Sequence, residues 1–184
     1  MNKVIAIVGM CGSGKSIASD MLVEKGYEKV YFGGVNMEKL QENNLEVTPE
    51  NEKMMREKLR AELGMGAFAK ILLPRIKEYA KSKNVVLDGL YSWDEYEIID
   101  ADLGDALKVI AIVADKELRY SRLKDREIRP LTKEEAKARD LAEIENIRKA
   151  PPIAYADYYV LNNGTLEEYR DRLEEIIKEL EGGK

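Results

Sequence analysis

The sequence predicts an α/β fold in which a mostly parallel sheet is covered by helices on both sides. Three observations carry that expectation. Short, continuous apolar runs alternate with charged segments of helical period from one end of the chain to the other. A glycine-rich turn joins the first apolar run directly to the first helical segment. No repeat, low-complexity tract or interdomain linker interrupts the 184 residues, so a single domain, 1–184, accommodates them.

Val4 to Val8 is a β-branched run without alternation, which suits a strand buried on both faces. The loop Gly9 to Gly14 follows, then a helix to about Lys25, stopped by Gly26. Tyr27 to Phe32 reads as a second strand, closed by Gly33-Gly34. From Val35 to Ser82 the period is helical but interrupted. Thr48-Pro49 marks a helix start, Gly64 and Gly66 break the run, and a further helix reaches about Tyr79. Val85-Val86-Leu87 is a third strand ending in Asp88-Gly89, Leu107 to Ala114 a fourth and Tyr158 to Leu161 a fifth. Between the last two lie the charged helical segments 116–126 and 132–149. Thr132 with Glu135, and Thr165 with Glu168, form capping boxes.

Composition narrows the chemistry. The formal charge of −5 provides no global attraction to nucleic acid or an anionic membrane, so neither is expected as a partner. Histidine is absent, which removes Ser-His-Asp and Cys-His hydrolases and His-ligated metal centres. The single cysteine, Cys11, allows no intramolecular disulfide and fits a reducing compartment. Val4 to Val8 is too short for a signal segment or membrane span, so a cytoplasmic location is expected.

Gly9-x-x-x-x-Gly14-Lys15-Ser16 is a complete phosphate-binding loop, with a strand leading in and a helix leading out. Its amides and the helix N-terminus converge on one anion. Gly9, Gly12, Ser13, Gly14, Lys15, Ser16 and Ile17 are the expected nucleotide-binding residues. Lys15 is expected to reach the β- and γ-phosphates of ATP, and Ser16 to ligate Mg²⁺. Cys11 reads as a small filler turned away from phosphate, with a redox-sensitive loop as the alternative. Asp88, at the end of an apolar strand, is placed to orient Mg²⁺ or its water. Arg119, Arg122, Arg126 and Arg129 recur at helical spacing, and such a stripe repels itself unless an anion sits between the charges. Arg122 and Arg126 are therefore expected at the transferring phosphoryl group, with Arg139 able to complete the cluster. Arg60 and Arg129 are expected at an acceptor, and Trp93 to stack on its base.

The loop, Val85-Val86-Leu87-Asp88-Gly89, the Arg122/Arg126 region and the stretch from Ala156 to Thr165 together resemble the nucleoside-monophosphate-kinase branch of P-loop proteins. Within it the chain is similar to dephospho-CoA kinases and to adenylate-kinase-related proteins. That resemblance implies a P-loop NTPase fold of three α/β/α layers with five parallel strands. It implies a core at 1–32, 83–121 and 141–184, an acceptor-binding helical insert at 33–82 and a lid at about 122–140. It also places Asn163 beside the nucleotide. The implied activity is a Mg·ATP-dependent kinase, monomeric or homodimeric, acting on a small nucleotide-like acceptor. Dephospho-CoA kinase and a nucleotide-dependent regulatory ATPase are the alternatives. The segment Phe32-Gly33-Gly34-Val35-Asn36 lacks the carboxylate that dephospho-CoA kinases carry there. Leu90-Tyr91 follows Asp88-Gly89 where adenylate-kinase relatives have an arginine.

Overall fold

The computed structural model describes residues 2–182. Strands β1 (Val4–Val8), β2 (Glu28–Tyr31), β3 (Val85–Asp88), β4 (Leu107–Val113) and β5 (Tyr158–Leu161) form one parallel sheet in the order β2-β3-β1-β4-β5. The side chains of β1 divide between two cores. Ile5 and Ile7 pack under helices α1 (Lys15–Glu24) and α9 (Leu166–Leu180), with Leu22, Tyr169, Leu173 and Ile177. Val4, Ala6 and Val8 face the opposite layer, which includes α4 (Ala67–Tyr79) and α5 (Trp93–Leu103). Three layers result, because a strand buried on both faces needs a helical cover on each.

One element departs from the sequence expectation. Gly33-Gly34 does not close β2; both glycines lie in the first turn of α2 (Phe32–Glu42). Phe32, Val35 and Leu40 form the buried face that holds this helix against the core, and Tyr31 folds its ring over Gly33 where a side chain would collide with it. Segment 33–82 comprises α2, α3 (Pro49–Leu63) and α4; Leu40, Met55 and Leu59 of the first two join the same core as Phe68, Leu72 and Ile76 of α4 and Val4 and Leu87 of the sheet. The start of α3 is capped by Thr48 as expected.

The charged segments become α6 (Lys116–Lys124) and α7 (Lys133–Ile147), followed by the short α8 (Ala150–Ala154). Both expected capping boxes are present, at Thr132 and Thr165. Among the described residues no helix is long and apolar enough to cross a membrane.

Candidate active site

Parallel pairing brings the site together. Ile7 sits opposite Asp88 across the β1–β3 ladder, and Tyr31 opposite Asp88 across β2–β3. The carboxyl ends of three strands therefore place Tyr31, Asp88 and the glycine-rich loop side by side, where ligands of open α/β sheets bind.

The loop is held in shape from outside. Asn162, just past β5, donates from Nδ2 to Ser13 O at 2.8 Å, and Tyr169 donates to Gly14 O at 2.9 Å. Gly14 has φ of 103°, and a Cβ there would run into the Asn162 amide; Gly12, at φ 82°, is pressed against Arg119 O. Gly9 opens the loop against Ile112, and Ile17 turns its side chain into the core beneath α1. Ser13 Oγ is buried without a partner. The Cys11 side chain packs among Tyr120, Leu123 and Ala136, and Cys11 also lines the cavity over the loop.

A cavity of about 430 Å³ opens over this loop. Lys15, Arg122, Arg126, Arg139 and Lys149 line it together with a single carboxylate, Asp88. Lys15 Nζ rests on Met10 O at 3.0 Å. Burial, aided by the nearby Lys149 charge, lowers its pKa to about 8. Arg122 anchors one arm on Asn162, through Nη2 to the carbonyl at 3.0 Å and to Oδ1 at 3.3 Å, while Nη1 is buried and unpartnered. Arg126 lies beyond the end of α6, with Nη1 3.9 Å from Cys11 Sγ. Asp88 is 2.9 Å from Lys29 Nζ, which also meets Asp20 at 3.3 Å. An orphaned Arg122 donor and this excess of cations fit a polyphosphate, because each leaves unmet a demand that phosphate oxygens satisfy. Ser16, exposed at the start of α1, and Asp88 offer the hard oxygen ligands that Mg²⁺ takes beside phosphates.

Arg119 corrects the arginine stripe. It is buried, binds both carboxylate oxygens of Asp140 at 3.0 and 2.6 Å and donates to Cys11 O at 2.9 Å. It braces the loop from behind and does not face the cavity.

A second cavity of about 730 Å³ lies between α2, α3 and α7. Arg60 and Arg129 line it. Burial lowers the Arg60 pKa; its Nε is unpartnered, and its guanidinium lies 5.9 Å from the centre of the Phe68 ring. Arg129 meets Glu52 at 3.5 Å, and Arg56 meets the same carboxylate at 3.7 Å. Asn36 donates to Glu52 O at 3.1 Å and leaves its own Oδ1 buried and unpaired. Tyr31, Tyr91 and Arg139 line both cavities, so the two spaces meet at these side chains.

Two expected residues lie elsewhere. Trp93 lines neither cavity; it stacks on Tyr96 at 5.0 Å and meets Tyr155 edge-on at 5.8 Å. Its aromatic surface is satisfied by packing within that cluster. Asn163 accepts a hydrogen bond from Asp115 N at 2.9 Å, and the contact with the glycine-rich loop is made by Asn162 instead. Sequence reasoning missed Asn162, Tyr31, Tyr91 and Lys149. Asn162 and Tyr91 lie in stretches the sequence marks, Ala156 to Thr165 and directly after Asp88-Gly89, and Lys149 stands directly before Ala-Pro-Pro at the end of a helical period.

Comparison with known proteins gives the family and the fold. The chain matches the AAA domain family over residues 5–146. It is 33% identical over 181 residues to a UPF0200 protein of Thermococcus onnurineus, covering 96% of this chain and 97% of the relative. It is 34% identical over 182 residues to a UPF0200 protein of Sulfurisphaera tokodaii, covering 97% of each. Its fold is like that in the crystal structure of TT1252 from Thermus thermophilus, with a TM-score of 0.66, 20% identity and coverage of 97% of this chain and 98% of that one. The chain belongs to the AAA domain family, with a P-loop kinase-like fold, and to the UPF0200 proteins.

Proposed function

We propose that the protein is a Mg·ATP-dependent small-molecule kinase that moves the γ-phosphoryl group onto a phosphate of a nucleotide-like acceptor. The observation that carries this reading is the junction of the two cavities. A cationic space over the glycine-rich loop opens, past Tyr31, Tyr91 and Arg139, into a larger space with its own arginines. A hydrolase needs only the first.

Charge favours a phosphate acceptor over a hydroxyl. A hydroxyl requires a base at the transfer point, and Asp88, the only carboxylate lining the first cavity among the described residues, is the one expected to hold Mg²⁺. A phosphate oxygen is a nucleophile without deprotonation, and bringing two polyanions together requires the cations found here. The acceptor oxygen forms a bond to the γ-phosphorus as the bond to the β–γ bridging oxygen breaks, and ADP leaves with that electron pair. Lys15, Arg122 and Arg126 hold the developing charge. Mg²⁺, held through Ser16 and Asp88, would neutralise the β- and γ-oxygens.

The test is a phosphotransfer screen with Mg·ATP against ribo- and deoxynucleoside monophosphates and dephospho-CoA, read by chromatography of the products. Phosphorylation of a monophosphate to a diphosphate is the expected result. Turnover of dephospho-CoA alone would favour hydroxyl transfer. ATP hydrolysis stimulated by a protein, with no acceptor phosphorylated, would sink the kinase reading.

A further inference from the structure

Lys149 stands outside every motif that points to the site, yet it lines the first cavity beside Lys15 and Arg139. Its side chain is 4% exposed. Nζ donates to Glu143 Oε2 at 2.6 Å and lies 4.8 Å from the centre of the Tyr91 ring. An ammonium has three N–H donors. Glu143 takes one and the ring face a second, which leaves a donor for the cavity.

The backbone is built to aim this group. Arg148 ends α7 in the left-handed region at φ 53°, a conformation that a non-glycine residue rarely adopts. Lys149 N then donates to Glu143 O at 3.1 Å, and Arg148 O accepts from Trp93 N at 3.2 Å. The turn folds Lys149 back along the last turn of α7 instead of out to solvent. Glu143 also accepts from Arg139 Nε at 3.1 Å, so two cations share one carboxylate. Burial alone would raise the Glu143 pKa, but Lys149 and then Arg139 outweigh it and hold the carboxyl below its usual range. The cluster keeps a net positive charge in a confined place, a debt that an anion settles.

The location specifies which anion. Tyr91 and Arg139 are two of the side chains shared by both cavities, and Lys149 contacts the first directly and the second through Glu143. We infer that Lys149 is a second catalytic lysine, whose ammonium binds the γ-phosphoryl group at the junction of the two cavities, with Glu143 as the positioning residue that aims it. The inference rests on the kinase reading for its role in transfer, but its binding test needs no acceptor. Lys149 donates a hydrogen bond to a non-bridging oxygen, while the bonds made and broken remain those given above.

The test compares binding of Mg·ADP, Mg·AMP-PNP and Mg·ADP with aluminium fluoride by calorimetry. The variant is Lys149→Met, which removes the cation and leaves Glu143 paired with Arg139. We expect the ADP affinity to stay within about twofold, that for AMP-PNP to fall about tenfold, and that for the aluminium fluoride complex to fall about a hundredfold. Lys149→Arg, which keeps the charge, should recover part of the last loss. Equal losses for ADP and AMP-PNP would show a purely structural role, and no loss for any ligand would place Lys149 outside the site; either overturns the inference. An empty acceptor screen with the AMP-PNP loss intact would remove the kinase reading and leave the γ-phosphate contact standing. Wild-type protein that binds no nucleotide would end both.

Discussion

In the first cavity Lys15 rests on a backbone carbonyl and one arm of Arg122 has no partner. In the second, Arg56 and Arg129 both draw on Glu52, and Arg60 is influenced by the charge of buried Glu95. Arg122 is thus left without a carboxylate in one region, whereas Arg56 and Arg129 are matched with one in the other. Unmatched cations grip any polyphosphate strongly. Matched ones yield little net affinity and reward only a ligand that replaces their partners correctly. The first cavity is built for strength and the second for discrimination.

The contrast can be broken most decisively from behind the loop. Arg119→Ala leaves Asp140 as a buried, unpaired carboxylate and should cost about 3–5 kcal/mol in urea unfolding. A loss below about 1 kcal/mol would show that Arg119 does not brace the loop. Next in size, Lys15→Ala should reduce phosphotransfer by about a hundredfold or more while the circular dichroism spectrum stays unchanged. Activity retained in that variant would remove the first cavity from the chemistry.

A third test uses pH. Lys15 has a pKa of about 8 when folded and ligand-free, against 10.5 for an ordinary lysine. Between those values the unfolded chain binds more protons than the folded one, so stability of the free protein rises with pH through this window. Nucleotide prefers the charged lysine, so affinity for Mg·ATP should fall by up to about tenfold per pH unit above about 8. Calorimetry from pH 7 to 9.5 that shows constant affinity would contradict the burial of Lys15.

Smaller effects sharpen the second cavity. Arg60→Met should raise the acceptor KM by about tenfold and leave the KM for ATP unchanged. A matching rise in both would merge the two cavities into one functional unit. Trp93→Phe should change both constants by less than about twofold, because its ring belongs to the Tyr96–Tyr155 cluster.

The sequence announced the first cavity well because that cavity is largely local. A β-branched run, a glycine-rich loop and a helix start are contiguous, and Asp88 is marked by the strand it ends. It announced the second poorly, because Glu52, Arg129 and Asn146 meet there from separate segments. Periodicity likewise could not say which arginine of the stripe faces inward; only the position of Asp140 on α7 makes Arg119 structural and leaves Arg122 for the ligand. Gly33-Gly34 misled because glycine usually interrupts a helix, yet here the buried face of Phe32, Val35 and Leu40 overrides that preference.

The Arg119–Asp140 pair also limits how the molecule can move. It ties the middle of α7 to α6 and, through Cys11 O, to the glycine-rich loop. Swinging α7 as a rigid arm over the phosphates would break that buried pair. The stretch from Asp125 to Leu131 lies outside the tie, and its Ile128 stands 79% exposed. Covering that side chain in a closed form would contribute about 1.5–3 kcal/mol, making the apolar tip of a short loop, and not the travel of a helix, the driving force for shutting out water.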